Sequence, residues 1–211
     1  MKIKCFFLEP IDKERIYLRR YSHTNSINNH YHNASVPWQD IDLVGKGLSS
    51  CEVWGLDKND VYYPDLSLPW PTQCESCDYI FQESDVRQRF VSCLYKRQDT
   101  GEIMTLRDAP VGAMYYASWL DEHDSYPKGP DGRVLEVIVP NGISDKGRAW
   151  SPDERASNCT MKEDKIHRCW IRHGVPPEIT VDKQGHTCKA GAGSIMVGKW
   201  HGFLKNGYLV D

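Results

Sequence analysis

A chain of 211 residues with 40% apolar and 26% charged side chains, seven tryptophans and eleven tyrosines has the composition of a globular, water-soluble protein whose core draws heavily on aromatics. A net charge of −3 excludes strong long-range attraction of the whole chain to nucleic acid, yet residues 155–205 carry nine Lys/Arg against four Asp/Glu, a local +5 that leaves −8 elsewhere. The opening decapeptide lacks the apolar core of a secretory leader, and the weakly polar stretch from Val111 to Leu120 is far short of the roughly 18 residues of a membrane span, so no membrane span is expected.

Residues 2–8 and 15–21 read as short strands around a polar connector and predict a hairpin. Residues 22–33, rich in Asn and His, read as a surface loop. Its His30-Tyr-His32 places two imidazoles on one side of an extended segment, either as metal ligands or as ordinary loop histidines. From Val36 to Pro71 prolines and glycines break every regular pattern, which predicts loops and edge strands.

Trp70-Pro-Thr-Gln-Cys74-Glu-Ser-Cys77 then brings a C-x-x-C knuckle ahead of an aromatic strand. Two thiolates at this spacing reach one tetrahedral ion, with Cys51, Cys93 or a loop histidine completing the site. A redox pair or two buried thiols are the alternatives.

Ser84 to Phe90 is predicted as a short helix capped by Ser84. A hairpin follows, from Phe90–Tyr95 to Ile103–Leu106 across Asp99-Thr-Gly101. Further strands are expected at 115–119 and 134–139. Asp121-Glu-His-Asp124 between them reads as a metal or acid–base group, or as a polar loop tip. Ser151-Pro-Asp-Glu signals another short helix.

Residues 157–208 hold three of the eight cysteines and four of the eight histidines. On an extended backbone, alternation puts His167, Cys169, Ile171 and His173 on one face, and pairs His186 with Cys188. Two such H-x-C pairs can converge on zinc through His167, Cys169, His186 and Cys188. A Cys169–Cys188 or Cys159–Cys188 disulfide and simple apolar packing of the thiols are the competing readings. A cysteine nucleophile, Cys159 or Cys169, served by His167 or His173 would require an accessible thiol, and Trp170 argues for burial. Deaminase chemistry would require H-x-E ahead of P-C-x-x-C, which is absent. Gly191-Ala-Gly-Ser-Ile195 reads as a turn into a strand, and Asn206-Gly207 is the strongest hairpin signal in the chain. His201, before it, reads as a core histidine or a further ligand.

The strings W-P-x-x-C-x-x-C at 70–77, L-R-D-A-P-x-G-A-M at 106–114, R-A-S-N-C-T at 155–160, H-R-C-W-x-R-H-G-x-P-P at 167–177, T-V-D-K-x-G-x-T-C-x-A-G-A-G-S-I at 180–195 and H-G-F-L-x-N-G at 201–207 resemble a family of small tailed-bacteriophage proteins. The resemblance covers residues 70–211 and implies a phage origin, without implying an activity. It places the chain in the virion or in the host cytoplasm.

The expected fold is mainly β, with antiparallel sheets, hairpins, long loops and short helices. It forms one domain over residues 1–211, with a zinc-knuckle module at 70–95 and a basic Cys/His-rich segment at 155–211. The expected function is noncatalytic: a phage-type binding or structural protein braced by structural zinc at Cys74, Cys77, His167, Cys169, His186 and Cys188, or by disulfides. Its partner is a virion or host protein, with nucleic acid a further candidate through residues 155–205. The alternative is a metal-dependent hydrolase or nuclease using His167, His173, His186 or His201 with Asp164 or Asp182.

Overall fold

The structure, a computed structural model, describes residues 1–22, 32–42, 69–161, 163–164, 167–183, 188, 190 and 193–211. These residues are mainly strand, arranged in antiparallel sheets, as the alternating apolar pattern predicts. The chain divides into two compact units, one made of Met1–Pro10 with Tyr95–Asp211 and the other of Ile11–Leu94. Among the described residues no helix is long and apolar enough to cross a membrane.

In the first unit, β1 (Lys2–Lys4), β11 (Ile195–Val197), β12 (Trp200–Lys205) and β13 (Tyr208–Val210) form one sheet in the order β1-β13-β12-β11. The chain's first residues pair with its last, Lys2 opposite Val210 and Lys4 opposite Tyr208. Asn206 and Gly207 both have positive φ, 47° and 73°, which is the twist a two-residue hairpin requires and which Asn and Gly adopt most readily. A second sheet runs through β6 (Ala113–Tyr116), β7 (Leu135–Val139) and β8 (Arg148–Trp150), and β9 (Ile171–Val175) pairs with β10 (Glu178–Asp182). Leu135, Val137 and Val139 alternate inward from β7 and join Met114, Ile179, Val181, Ile195, Leu204 and Leu209 in the core.

In the second unit, β2 (Phe6–Tyr21), which begins in the first, pairs antiparallel with β3 (Asn33–Asp42) from Lys13–Asp42 to Tyr21–Asn33, with a bulge between Ile16 and Leu18. In the strand order β4 (Val86–Arg97) neighbours β2, and β5 (Ile103–Thr105) neighbours β4. Ile16 and Leu18 point inward, and Arg15 on the opposite face binds Asp40 through both carboxylate oxygens.

Four sequence expectations need correction. The hairpin of 2–8 with 15–21 is absent: β1 pairs with β13, while β2 runs unbroken through Pro10, whose fixed φ suits extended backbone. The helix at 84–90 is a turn followed by β4, because Asp85 accepts the Gln82 N–H at 2.7 Å and the Tyr79 hydroxyl at 3.0 Å instead of standing in the first turn of a helix capped by Ser84. The helix after Ser151 is a single turn, with Asp153 drawn to Arg172. The expected strand at 115–119 ends at Tyr116, and Ser118–Asp121 forms a one-turn helix, α1. There Asp121 accepts the Val134 N–H at 2.8 Å, so the acidic stretch fastens a loop to the start of β7.

Glu136 lies opposite Tyr115 on β7, where burial, reinforced by the charge of Glu154, pushes its carboxyl up to about 7. A raised carboxyl pKa means that the folded state holds the proton more tightly than the unfolded state. The contribution is present below the unfolded value of about 4.5 and is lost as pH rises through 7. Glu136→Gln should therefore raise stability at pH 8 by about 2 kcal/mol, allowing for the side chain's residual contact with water, and leave pH 4 unchanged. Urea unfolding at the two pH values measures this, and an equal change at both would show that charge is not the cause.

Candidate metal centres

Four donors from three separate stretches meet in the first unit. Cys159 sits in a turn whose N–H reaches Ala156 O, His167 and Cys169 immediately precede β9, and Cys188 falls between β10 and β11. One ligand atom from each of Cys159, His167, Cys169 and Cys188 lies within 4.8 Å of all the others. The contacts are 3.6 Å from Cys169 Sγ to His167 Nε2, 3.7 Å from Cys169 Sγ to Cys188 Sγ and 3.9 Å from Cys188 Sγ to Cys159 Sγ. Sulfurs about 2.3 Å from one tetrahedral zinc stand about 3.8 Å apart, and a sulfur and an imidazole nitrogen about 3.6 Å apart. These three separations match edges of a zinc tetrahedron, and the remaining pairs lie within 4.8 Å. A disulfide requires about 2.05 Å, and the described cysteines are all free thiols.

The surroundings suit thiolates. Cys159 and Cys169 are buried with His167, which has no exposed surface. The backbone N–H two residues after a ligand points back at its sulfur twice, Met161 N to Cys159 at 3.4 Å and Ala190 N to Cys188 at 3.3 Å. Such bonds fix the ligand's orientation and offset its negative charge. Lys183 Nζ donates to the carbonyls of Cys169, at 2.7 Å, and Ala190, at 2.9 Å, tying two ligand-bearing segments to one cation. Arg155 donates to the carbonyls of Met161 and Asp164, and Asp164 accepts the His167 N–H at 3.2 Å. Desolvation works to raise the Cys188 thiol, but the Ala190 N–H, the neighbouring sulfurs and Lys183 outweigh it and hold the thiol low. Burial pushes the Cys169 thiol up to about 11.

A second group lies in the other unit, where His32, Cys74 and Cys77 bring three ligand atoms within the same distance. Cys74 N–H binds Tyr79 O at 2.9 Å and Ser76 N–H points at Cys74 Sγ at 3.5 Å, closing the C-x-x-C turn. His32 Nδ1 is 3.2 Å from Cys77 Sγ, and its ring stacks on Tyr79 at 4.0 Å. Arg20, buried under Phe81, donates to Pro71 O and Gln82 O, one on each side of the knuckle. Cys93 is not in the group, and Cys51 and His30 lie outside the described residues.

Of the sequence-predicted ligands, Cys74 and Cys77 meet in one group and His167, Cys169 and Cys188 in the other. His186 lies outside the described residues. Cys159, expected only as a disulfide partner or nucleophile, joins the second of these sets. His173 is exposed and bonded to Asp182 at 3.0 Å, and His201 is exposed on β12, so neither is a core residue or a member of either group. The anticipated alternation through 167–173 fails because the strand begins only at Ile171, and Arg172 turns inward. Arg155, Arg172 and Lys183, three of the nine cations of 155–205, are engaged within the chain. The chain matches no protein-family model, no curated protein and no solved structure with which it was compared.

Proposed function

We propose that this chain is a noncatalytic binding or structural protein of phage type, braced by structural zinc at Cys159, His167, Cys169 and Cys188 and by a second ion at His32, Cys74 and Cys77. The observation that carries this reading is the first donor set. Three sulfurs and one imidazole nitrogen stand at tetrahedral spacing, so the chain itself fills every position of a four-coordinate ion. That is the donor count of a structural site, whereas a hydrolytic zinc keeps one position for water; the second group supplies three donors among the described residues, and Cys51 and His30, candidates for its fourth, lie outside them. Of the imidazoles the hydrolase alternative names, His167 is already one of the four donors, His173 and His201 are not among the donors, and His186 lies outside the described residues. Two braced units with many loops suit a protein that presents surface to a protein partner, either in the particle or in the infected host.

Elemental analysis of protein purified with reductant is expected to give two zinc ions per chain, falling to one in Cys74→Ser. Absence of zinc after zinc supplementation during expression would defeat the metal reading. Mass spectrometry of purified particles against infected-cell lysate separates a virion component from a host-directed factor, and presence in neither would defeat the phage reading. A zinc-dependent hydrolysis that disappears with Cys159→Ser would overturn the noncatalytic assignment.

A further inference from the structure

Given the four-donor zinc centre proposed above, we infer that Cys188 is its reactive thiolate, and that two-electron oxidation by a hydroperoxide joins Cys188 to Cys169 and releases the metal. Access differs sharply among the three sulfurs. Cys159 is 4% exposed and Cys169 0%, whereas Cys188 is only partly buried. Thiol oxidation follows exposure and thiolate character, and a metal-bound sulfur is held as thiolate. Cys188 is also the sulfur in contact with both others, at 3.7 Å from Cys169 and 3.9 Å from Cys159.

The choice of Cys169 as partner rests on the backbone. Lys183 already binds the carbonyls of Cys169 and Ala190, so the segments flanking the new bond are held side by side. The sulfurs must approach by about 1.7 Å to reach bonding distance.

The chemistry balances in two steps. Cys188 sulfur attacks the terminal peroxide oxygen, forming S–O and breaking O–O. The sulfur is oxidised to a sulfenic acid, and the departing alkoxide takes a proton to become an alcohol. Cys169 thiolate then attacks that sulfur, forming S–S and breaking S–O, and hydroxide leaves and is protonated to water. Two thiolates, one hydroperoxide and two protons thus give a disulfide, an alcohol and water. Two of the four donors are consumed, and the zinc departs.

The test uses full-length, zinc-loaded protein, with the metal counted before any oxidant is added. Hydrogen peroxide is titrated in, released zinc is read with a chromogenic chelator, and the thiols are mapped after alkylation. A parallel Cys74→Ser/Cys77→Ser variant removes the second group's contribution. The expected result is zinc release in proportion to a Cys169–Cys188 disulfide, with Cys159 alkylated. A Cys159–Cys169 linkage, or zinc release with Cys188 still alkylatable, overturns the inference. Cys188→His keeps a four-donor set of two cysteines and two histidines while removing the reactive sulfur. It should hold zinc and lose it to peroxide at least tenfold more slowly, and unchanged sensitivity also overturns the inference. If no zinc is present at the start, the metal reading itself fails. The order of thiol oxidation in the same sample still decides the role of Cys188, and oxidation of either buried sulfur first rejects it.

Discussion

Cys169→Ser should abolish one zinc ion per chain and unfold much of the unit built from Met1–Pro10 and Tyr95–Asp211. Cys169 has no exposed surface, and Cys159 and Ala190 share its core cluster, with Cys188 packed against it. A metal held by these donors would therefore brace the interior where three chain segments meet. Binding free energy at a structural zinc is folding free energy, about 10–16 kcal/mol in small zinc-dependent domains. A serine oxygen replaces a soft thiolate with a weak, protonated donor, and most of that free energy is lost. Thermal denaturation followed by circular dichroism, with zinc content measured on the same sample, checks this. A strong chelator should reproduce the defect in the parent protein and add nothing to the variant. A variant that melts normally without zinc would show that packing alone sustains the unit, and the thiols would revert to small apolar groups.

The C-x-x-C turn is legible because its ligands are three residues apart, so local geometry alone brings the sulfurs together. The larger centre is legible only in part. His167 and Cys169 announce themselves by proximity, but Cys159 and Cys188 reach them across separate turns, and no spacing rule connects the four. What likens Cys159 to Cys74 appears only in the structure: in each, the N–H two residues on bonds back to the sulfur. His32 was identifiable as one of two imidazoles in His30-Tyr-His32. Ser22 N–H binding its carbonyl and Tyr79 stacking against its ring hold it in place.

The fold divides in the same way between local and distant causes. Asn206-Gly207 and Asp99-Thr-Gly101 specify their turns through backbone conformation, and alternation in 135–139 specifies a strand, so these elements were readable. Pairing of the first strand with the last was not, because it joins residues at opposite ends of the chain. The false helices at Ser84 and Ser151 share one physical origin. Both sequences offer a capping residue followed by an acid, but the acids are recruited elsewhere, Asp85 by Gln82 N–H and Tyr79, Asp153 by Arg172.

Arg172→Met should destabilise the first unit by about 3–5 kcal/mol, because removing one partner of a buried ion pair strands the other. The Arg172 side chain is 2% exposed and lies 3.2 Å from Asp153, itself 6% exposed, and 2.8 Å from Asp131. Burial pushes the Asp153 carboxyl up to about 6 even with Arg172 beside it. Burial also acts to raise Asp131, but Arg172, the Tyr116 hydroxyl and the Arg133 N–H bring it down to about 2. The signs of the two carboxyls differ. Asp131 adds stability as pH rises from about 2 toward 4, whereas Asp153 loses it as pH rises from about 4 through 6. Without the guanidinium Asp153 holds its proton to higher pH still, so the deficit of Arg172→Met should be larger at pH 8 than at pH 5. A second variant tests the same contact from the other side. A Cβ at Gly129 would fall 1.5 Å from Arg172 Nη2, so Gly129→Ala must displace the buried guanidinium. In a double-mutant cycle, Gly129→Ala should be costly in the parent chain and nearly neutral once Arg172 is methionine. Additive effects would mean that the glycine serves its own backbone, and that the ion pair does not set the position of the 129–133 turn.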